Sequence, residues 1–271
     1  MPARTSSIPE AKRHVRLGST SVAYLLRRNP RSRGIRLTID GRRGLLVTVP
    51  PQTRRGWVNA DDRVEAFLRE RAAWVLRQLA RLDREHSEIA ARGTVRTGGS
   101  IYYRGELHRV RLVSSDGPAG ARRSTVERAG ADGGDELVMR QGVRDRRSVE
   151  RVLEAWFRER AGDAIARAVS VHAPGLRVAP TEVVLRDPKS RWGSASKRGR
   201  LMFSWRLVLA PPGALETVVI HELVHLRVFG HGPGFWKLVA SRRPDHVAQR
   251  AWLRKHSHAL HAALDGPAEE G

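Results

Sequence analysis

His221, Glu222, His225 and His231 fall within eleven residues, "HELVHLRVFGH", in a stretch otherwise rich in Val, Ile and Leu. If the stretch is a helix over 214–229, His221 and His225 stand four apart on one face, about 6 Å from each other. Two imidazoles at that spacing can grip one divalent ion through N–metal bonds of about 2.0–2.1 Å. Glu222 is rotated about 100° around the axis and lies beside such an ion rather than aimed at it. That is the place for a carboxylate that takes a proton from a metal-activated water. Gly230 is a natural helix terminator, and His231 just beyond it can swing back toward the ion. Three neutral imidazoles leave one tetrahedral position open, as in catalytic rather than structural zinc sites. Without an ion, a buried His–Glu–His cluster leaves polar groups needing partners, at about 1–3 kcal/mol each.

These residues therefore predict one zinc ion held by His221, His225 and His231, with Glu222 as general base. Zinc would lower the pKa of its water toward about 7. Glu222 would take the proton, the hydroxide would attack a polarised carbonyl, and the proton would return to the leaving amine. Manganese and cobalt also suit three histidines, so the ligand types leave the metal's identity open.

The composition narrows the alternatives. The chain has 271 residues, enough for one large or two modest domains. Cysteine is absent, which excludes disulfides, thiolate metal sites and cysteine nucleophiles. No run of eighteen apolar residues predicts a membrane span, and no apolar leader follows the basic N-terminus. A cytoplasmic setting is expected. The net charge is +22, almost all from arginine. Such a balance admits nucleic acid as a partner, although the cations are spread along the chain rather than gathered in an arm.

The elements that must position the site follow from periodicity. Residues 1–18 read as disordered. "GIRLTID" and "LLVTVP" read as a hairpin around Asp40-Gly41, and "IYYRGELHRVRLV" as another turning at Arg104-Gly105. One long helix is expected from Asp61 to about Glu85, with Phe67, Trp74 and Leu79 on its core face. Residues 114–135 read as a mobile loop before the strand "ELVMR". A helix fits Asp145 to about Val171, and two strands, "LRVAPTEVVLRD" and "GRLMFSWRLVLA", precede the histidine helix. Two further helices end the chain, and no internal repeat is evident.

The combination "PKSRWGSASKRGRLMFSWRLVLAPP…VVIHELVHLRVFGHGPGFWKLV…RRPDH…WLR" resembles the YgjP-like metallopeptidases, and "HGPGFW" is similar to a segment of SprT-like proteases. The resemblance spans about residues 20–255. It implies His221, His225 and His231 as zinc ligands and Glu222 as catalytic base in a peptidase-type hydrolase. Ala195 stands where the family carries cysteine, and Ser204 where it carries asparagine; both changes bear on the cleft wall. The expected fold is α+β, a strand-rich N-terminal part packed on a zincin-like C-terminal core that carries the HExxH active-site helix. The expected divisions are 1–18, 19–143, 144–262 and a flexible tail, 263–271.

Trp192, Arg191 and Ser204 are expected at the substrate cleft, with Lys189 and Arg191 placed to reach an anionic group or the oxyanion. Phe235 and Trp236 are expected to lock the bend carrying His231 by packing, and His246 to pack nearby rather than ligate. His256, His258 and His261 read as a solvated helix end. Residues 201–207 are expected to form an edge strand beside the site helix, to which an extended substrate pairs antiparallel. The expected partner is a peptide or protein substrate. Alternatives are hydrolysis of another amide or ester at the same site, or a basic nucleic-acid-associated protein, including a protease acting on DNA-bound proteins.

Overall fold

A computed structural model describes residues 10–41, 43–113, 123–130 and 134–265. The chain forms a mixed α+β structure and divides into two compact units, Met1–Glu88 and Ile89–Gly271. The boundary between these units lies inside a helix. Among the described residues no helix is long and apolar enough to cross a membrane.

In the first unit, strands β1 (Glu10–Leu17), β2 (Thr20–Arg28), β3 (Arg36–Asp40) and β4 (Gly44–Val49) form a sheet in the order β1-β2-β4-β3. Residues 10–17 are therefore a strand, which corrects the expectation of disorder up to residue 18; residues 1–9 lie outside the described part. Alternation explains it: Val15 and Leu17 face inward opposite Val22 and Thr20, and a strand so paired buries its apolar side. The expected long helix is two, α1 (Asp61–Glu70) and α2 (Ala72–Ala91), broken at Arg71, whose guanidinium lies 3.8 Å from the Phe67 ring centre. Val64, Leu68, Val75 and Leu82 form the buried stripe, while Trp74 is 39% exposed. Of the face expected, Leu79 packs on this core, while the stripe is otherwise turned one residue round from Phe67 and Trp74.

The second unit begins with β5 (Ser100–Tyr103), β6 (Glu106–Val113), β7 (Thr125–Ala129) and β8 (Glu136–Arg140), in the order β5-β6-β8-β7. Strand β7 lies inside the stretch expected to be a loop; residues 114–122 and 131–133 of that stretch lie outside the described part. The sheet repeats the plan of the first. Both open with a hairpin, pair their second strand parallel with the fourth, and pair the third antiparallel with the fourth. Even the register agrees: the row Tyr24–Leu45–Ile39 matches Val110–Leu137–Arg128. Helix α3 (Val149–Leu176) follows, and its "EAWFRERA" at 154–161 echoes "EAFLRERA" at 65–72. The chain therefore contains an internal repeat that the sequence reading missed.

Helix α3 starts at Ser148, whose hydroxyl accepts from the Arg151 N–H. It runs beyond Pro174 and ends with Arg177 in the left-handed conformation. Three short strands follow, β9 (Glu182–Arg186), β10 (Gly193–Ala195) and β11 (Arg200–Ser204), in the order β10-β11-β9. Residues 205–209 are a 3₁₀ turn rather than a strand. Then come α4 (Pro212–His225), α5 (Pro233–Arg242) and α6 (His246–His261). Of the expected flexible tail, 263–265 are described and 266–271 lie outside the described part.

Candidate functional site

Helix α4 is buried nearly all round, with Leu215, Val218, Val219, Ile220, Leu223 and Val224 in the core. A helix apolar on every side cannot turn on its axis without exposing core residues, so its polar side chains are fixed. Its start is held from β5–β6. The hairpin turns through Arg104 (φ 55°) and Gly105 (φ 89°), and their N–H groups donate to Val208 and Leu209 carbonyls at 3.0 and 2.9 Å. A Cβ on Gly105 would lie 2.6 Å from Pro211 Cγ, so glycine is needed both for its backbone and for this approach.

Helix α4 stops at His225, four residues before the expected end. The chain then turns through 226–230, with Gly230 at φ 89°, and presents His231 immediately before α5. Arg227 donates to the Leu176 carbonyl at 3.4 Å, tying this bend to the free end of α3. Phe235 is fully buried, and its ring centre lies 4.8, 4.6 and 4.9 Å from those of His221, His225 and His231. Trp236 packs on His221 and His231 and stacks on His246. These aromatics lock the bend by packing, as expected.

The three imidazoles converge. His221 Nε2 lies 3.1 Å from His225 Nε2 and 3.2 Å from His231 Nε2, and one ring nitrogen of each lies within 4.8 Å of the others. For nitrogens bonded at about 2.0–2.1 Å to a shared ion, the two spacings to His221 correspond to angles of roughly 100°. The His225 ring also approaches the Val228 carbonyl through Nδ1 at 3.4 Å, which favours the tautomer with the Nε2 lone pair free. Burial pushes His221 down to about 3, reinforced by its two histidine neighbours and Arg250. Burial lowers His225 as well. The donor set is thus nitrogen-rich and convergent, and it fits a divalent ion. Among the described residues this is the group of three that can hold one.

Glu222 is 6% exposed, and burial pushes it up to about 7, opposed by the Arg191 charge. Its carboxylate lies against the backbone of Gly193, where a Cβ would come within 2.8 Å of Oε1. Only glycine allows β10 this close to α4. Glu222 and His221 line a cavity of about 400 Å³, together with Trp192, Gly193, Thr217, Val218, Arg250, Leu253, Arg254 and Ser257.

The remaining expected residues separate. Trp192 forms a wall of the cavity and stacks on His261 at 4.6 Å. Arg191 reaches the site through its field on Glu222. Ser204 is fully buried, and its hydroxyl accepts from the Arg206 N–H, capping the 3₁₀ turn; it does not line the cavity. Strand β11 is the centre of its sheet, not an edge; the edge facing α4 is β10. His256 stacks on Trp252 and does not join a metal group. The sequence reading missed Gly193, Arg250 and Arg254. The spacing of 250, 253, 254 and 257, one face of a helix, is the signal that groups the last two with the cavity.

Three imidazoles drawn from a helix and the next bend, beside a buried carboxylate, define a metal-site protein of mixed α+β fold. The chain belongs to the YgjP-like family: the family model described as "YgjP-like, metallopeptidase domain" matches residues 33–256. It is a metallopeptidase in that general sense. No curated protein and no solved structure matches the chain.

Proposed function

We propose that the protein is a zinc-dependent peptidase in which His221, His225 and His231 hold the ion and Glu222 is the general base. The observation that carries this reading is the convergence of three Nε2 atoms next to a buried carboxylate that opens on the same cavity. Three converging imidazole donors favour zinc. When bound, the ion supplies Lewis acidity, polarising a carbonyl and acidifying water toward a pKa of about 7.

The chain's own residues do the rest. Glu222 accepts a proton from the attacking water as its oxygen bonds to the peptide carbon. It returns that proton to the nitrogen as the C–N bond breaks. Burial raises the proton affinity of this carboxyl, which favours uptake of the proton. The substrate backbone pairs with the edge of β10. Trp192 and Ser196 bond to β11 through Trp192 O and Ser196 N, so Gly193 and Ala195 turn their N–H and C=O outward. A bound-peptide structure with substrate on another element would remove this pairing.

Two variants test the assignment. His225→Ala should lose bound zinc, measured by elemental analysis, together with cleavage of a peptide library. Glu222→Gln should keep one zinc per chain and lose at least about a hundred-fold in kcat/KM. Retained cleavage in Glu222→Gln would end the general-base role.

A further inference from the structure

The wall of the cavity opposite β10 belongs to α6, and it is cationic. Arg250 and Arg254 stand one helical turn apart, both exposed, and both line the cavity next to His221 and Glu222. Neither makes an ion pair among the described residues, in a chain where many arginines are paired. Arg250 is held in place: its guanidinium lies 4.1 Å from the Trp236 ring centre, and Trp236 packs on His221 and His231. Glu222 is the only acidic residue lining the cavity. The remaining walls, Trp192, Val218 and Leu253, are apolar.

We propose that this cavity selects a substrate carboxylate: a residue beside the scissile bond enters it with an apolar stem against Trp192, Val218 and Leu253, and its carboxylate meets Arg250 and Arg254. Glutamate has that shape. The inference rests on the peptidase reading and adds to it the class of substrate. Two unpaired guanidiniums at the mouth of an apolar pocket repel a lysine or arginine side chain. They leave a neutral one without charge-assisted hydrogen bonds. Discrimination of roughly ten- to a hundred-fold is expected. Arg250 and Arg254 are specificity residues here, since they touch the substrate side chain and not the reacting atoms.

The test uses the zinc-loaded full chain and C-terminally amidated peptides that differ only in having Glu, Gln or Lys at each position flanking the scissile bond. The readout is the ratio of kcat/KM for Glu over Gln, at low and high salt. At one flanking position the ratio should reach about ten or more and shrink with salt. It should fall toward one in Arg254→Gln, and in Arg254→Glu the order should invert to favour Lys. Zinc content, read in parallel, separates loss of selectivity from loss of the fold. A second arm compares free and amidated C-termini with Gln in the pocket-facing position. Preference for the free acid keeps the carboxylate and assigns it to the chain end. A ratio of one in both arms, with peptides still cleaved, overturns the carboxylate inference and leaves the peptidase reading standing. Cleavage of no peptide by zinc-loaded protein overturns both.

Discussion

The turn at Gly18-Ser19 and the turn at Arg104-Gly105 occupy the same place in two sheets of the same strand order and register, yet they do different things. A Cβ built on Gly18 meets nothing within 4 Å, whereas one on Gly105 strikes Pro211 at the head of α4. The helices that follow differ in the same way. Both carry the Glu-Ala-aromatic-or-leucine repeat, with Leu68 and Phe157 fully buried at equivalent positions. Helix α1, which carries it in the first unit, packs into that unit's own core. Helix α3 runs 28 residues and brings its terminal carbonyls to Arg227, just past His225. The comparison teaches that the four-strand-and-helix plan is a support, and that the candidate metal site depends on what is attached to it.

The largest effect should come from the equivalent core positions. Phe157→Ala is expected to cost about 3–5 kcal/mol and Leu68→Ala about 2–5 kcal/mol. Thermal unfolding with zinc content should show that only Phe157→Ala weakens metal retention. Equal loss of zinc in both would break the distinction between the two sheets. Next, Gly105→Ala carries both a left-handed backbone and a clash, so about 2 kcal/mol or more is expected, with weaker zinc binding. Gly18→Ala meets only the backbone penalty, about 1 kcal/mol, and should leave zinc unchanged. Urea midpoints read the difference.

A smaller effect is pH-dependent and should appear in the metal-free protein. Glu222 is raised to about 7 by burial, so its contribution is intact below about 4.5 and lost as pH rises through 7. His221, pushed down to about 3, works the other way: its contribution is intact above 6.5 and lost as pH falls toward 3. Metal-free Glu222→Gln should therefore outlast the unmodified protein above pH 7, with the gap closing toward pH 4.5. A gap independent of pH in chelator melts would mean that Glu222 is not ionising against burial. The smallest effect compares the repeated ion pairs, Glu65–Arg69 and Glu154–Arg158. Arg69→Ala should cost no more than about 0.5 kcal/mol. Arg158→Ala should cost slightly more, since this guanidinium also lies 5.6 Å from the Trp205 ring centre.

Some local features were read correctly. The Arg104-Gly105 hairpin, the Asp40-Gly41 hairpin and the four-residue histidine spacing each depend on neighbours in the chain. Strand β7 escaped because "TVERA" alternates only weakly between polar stretches. The repeat escaped because the two sheets share burial pattern rather than residue types; only eight residues of the helices echo one another. The edge was misassigned because "GRLMFSWRLVLA" is apolar on both faces, which marks a central strand as readily as a paired edge.

The sequence alone placed His221, Glu222 and His225 on one helix as candidate ligands and base, because a helix converts spacing into direction within a single turn. Tertiary structure decided everything that depends on distant segments meeting. It set Gly193 against Glu222, brought Phe235 among the three imidazoles, made β10 rather than β11 the open edge, and turned Arg250 and Arg254 toward the cavity. These contacts join residues tens of positions apart, and only the packing of the core fixes which side chains share a wall.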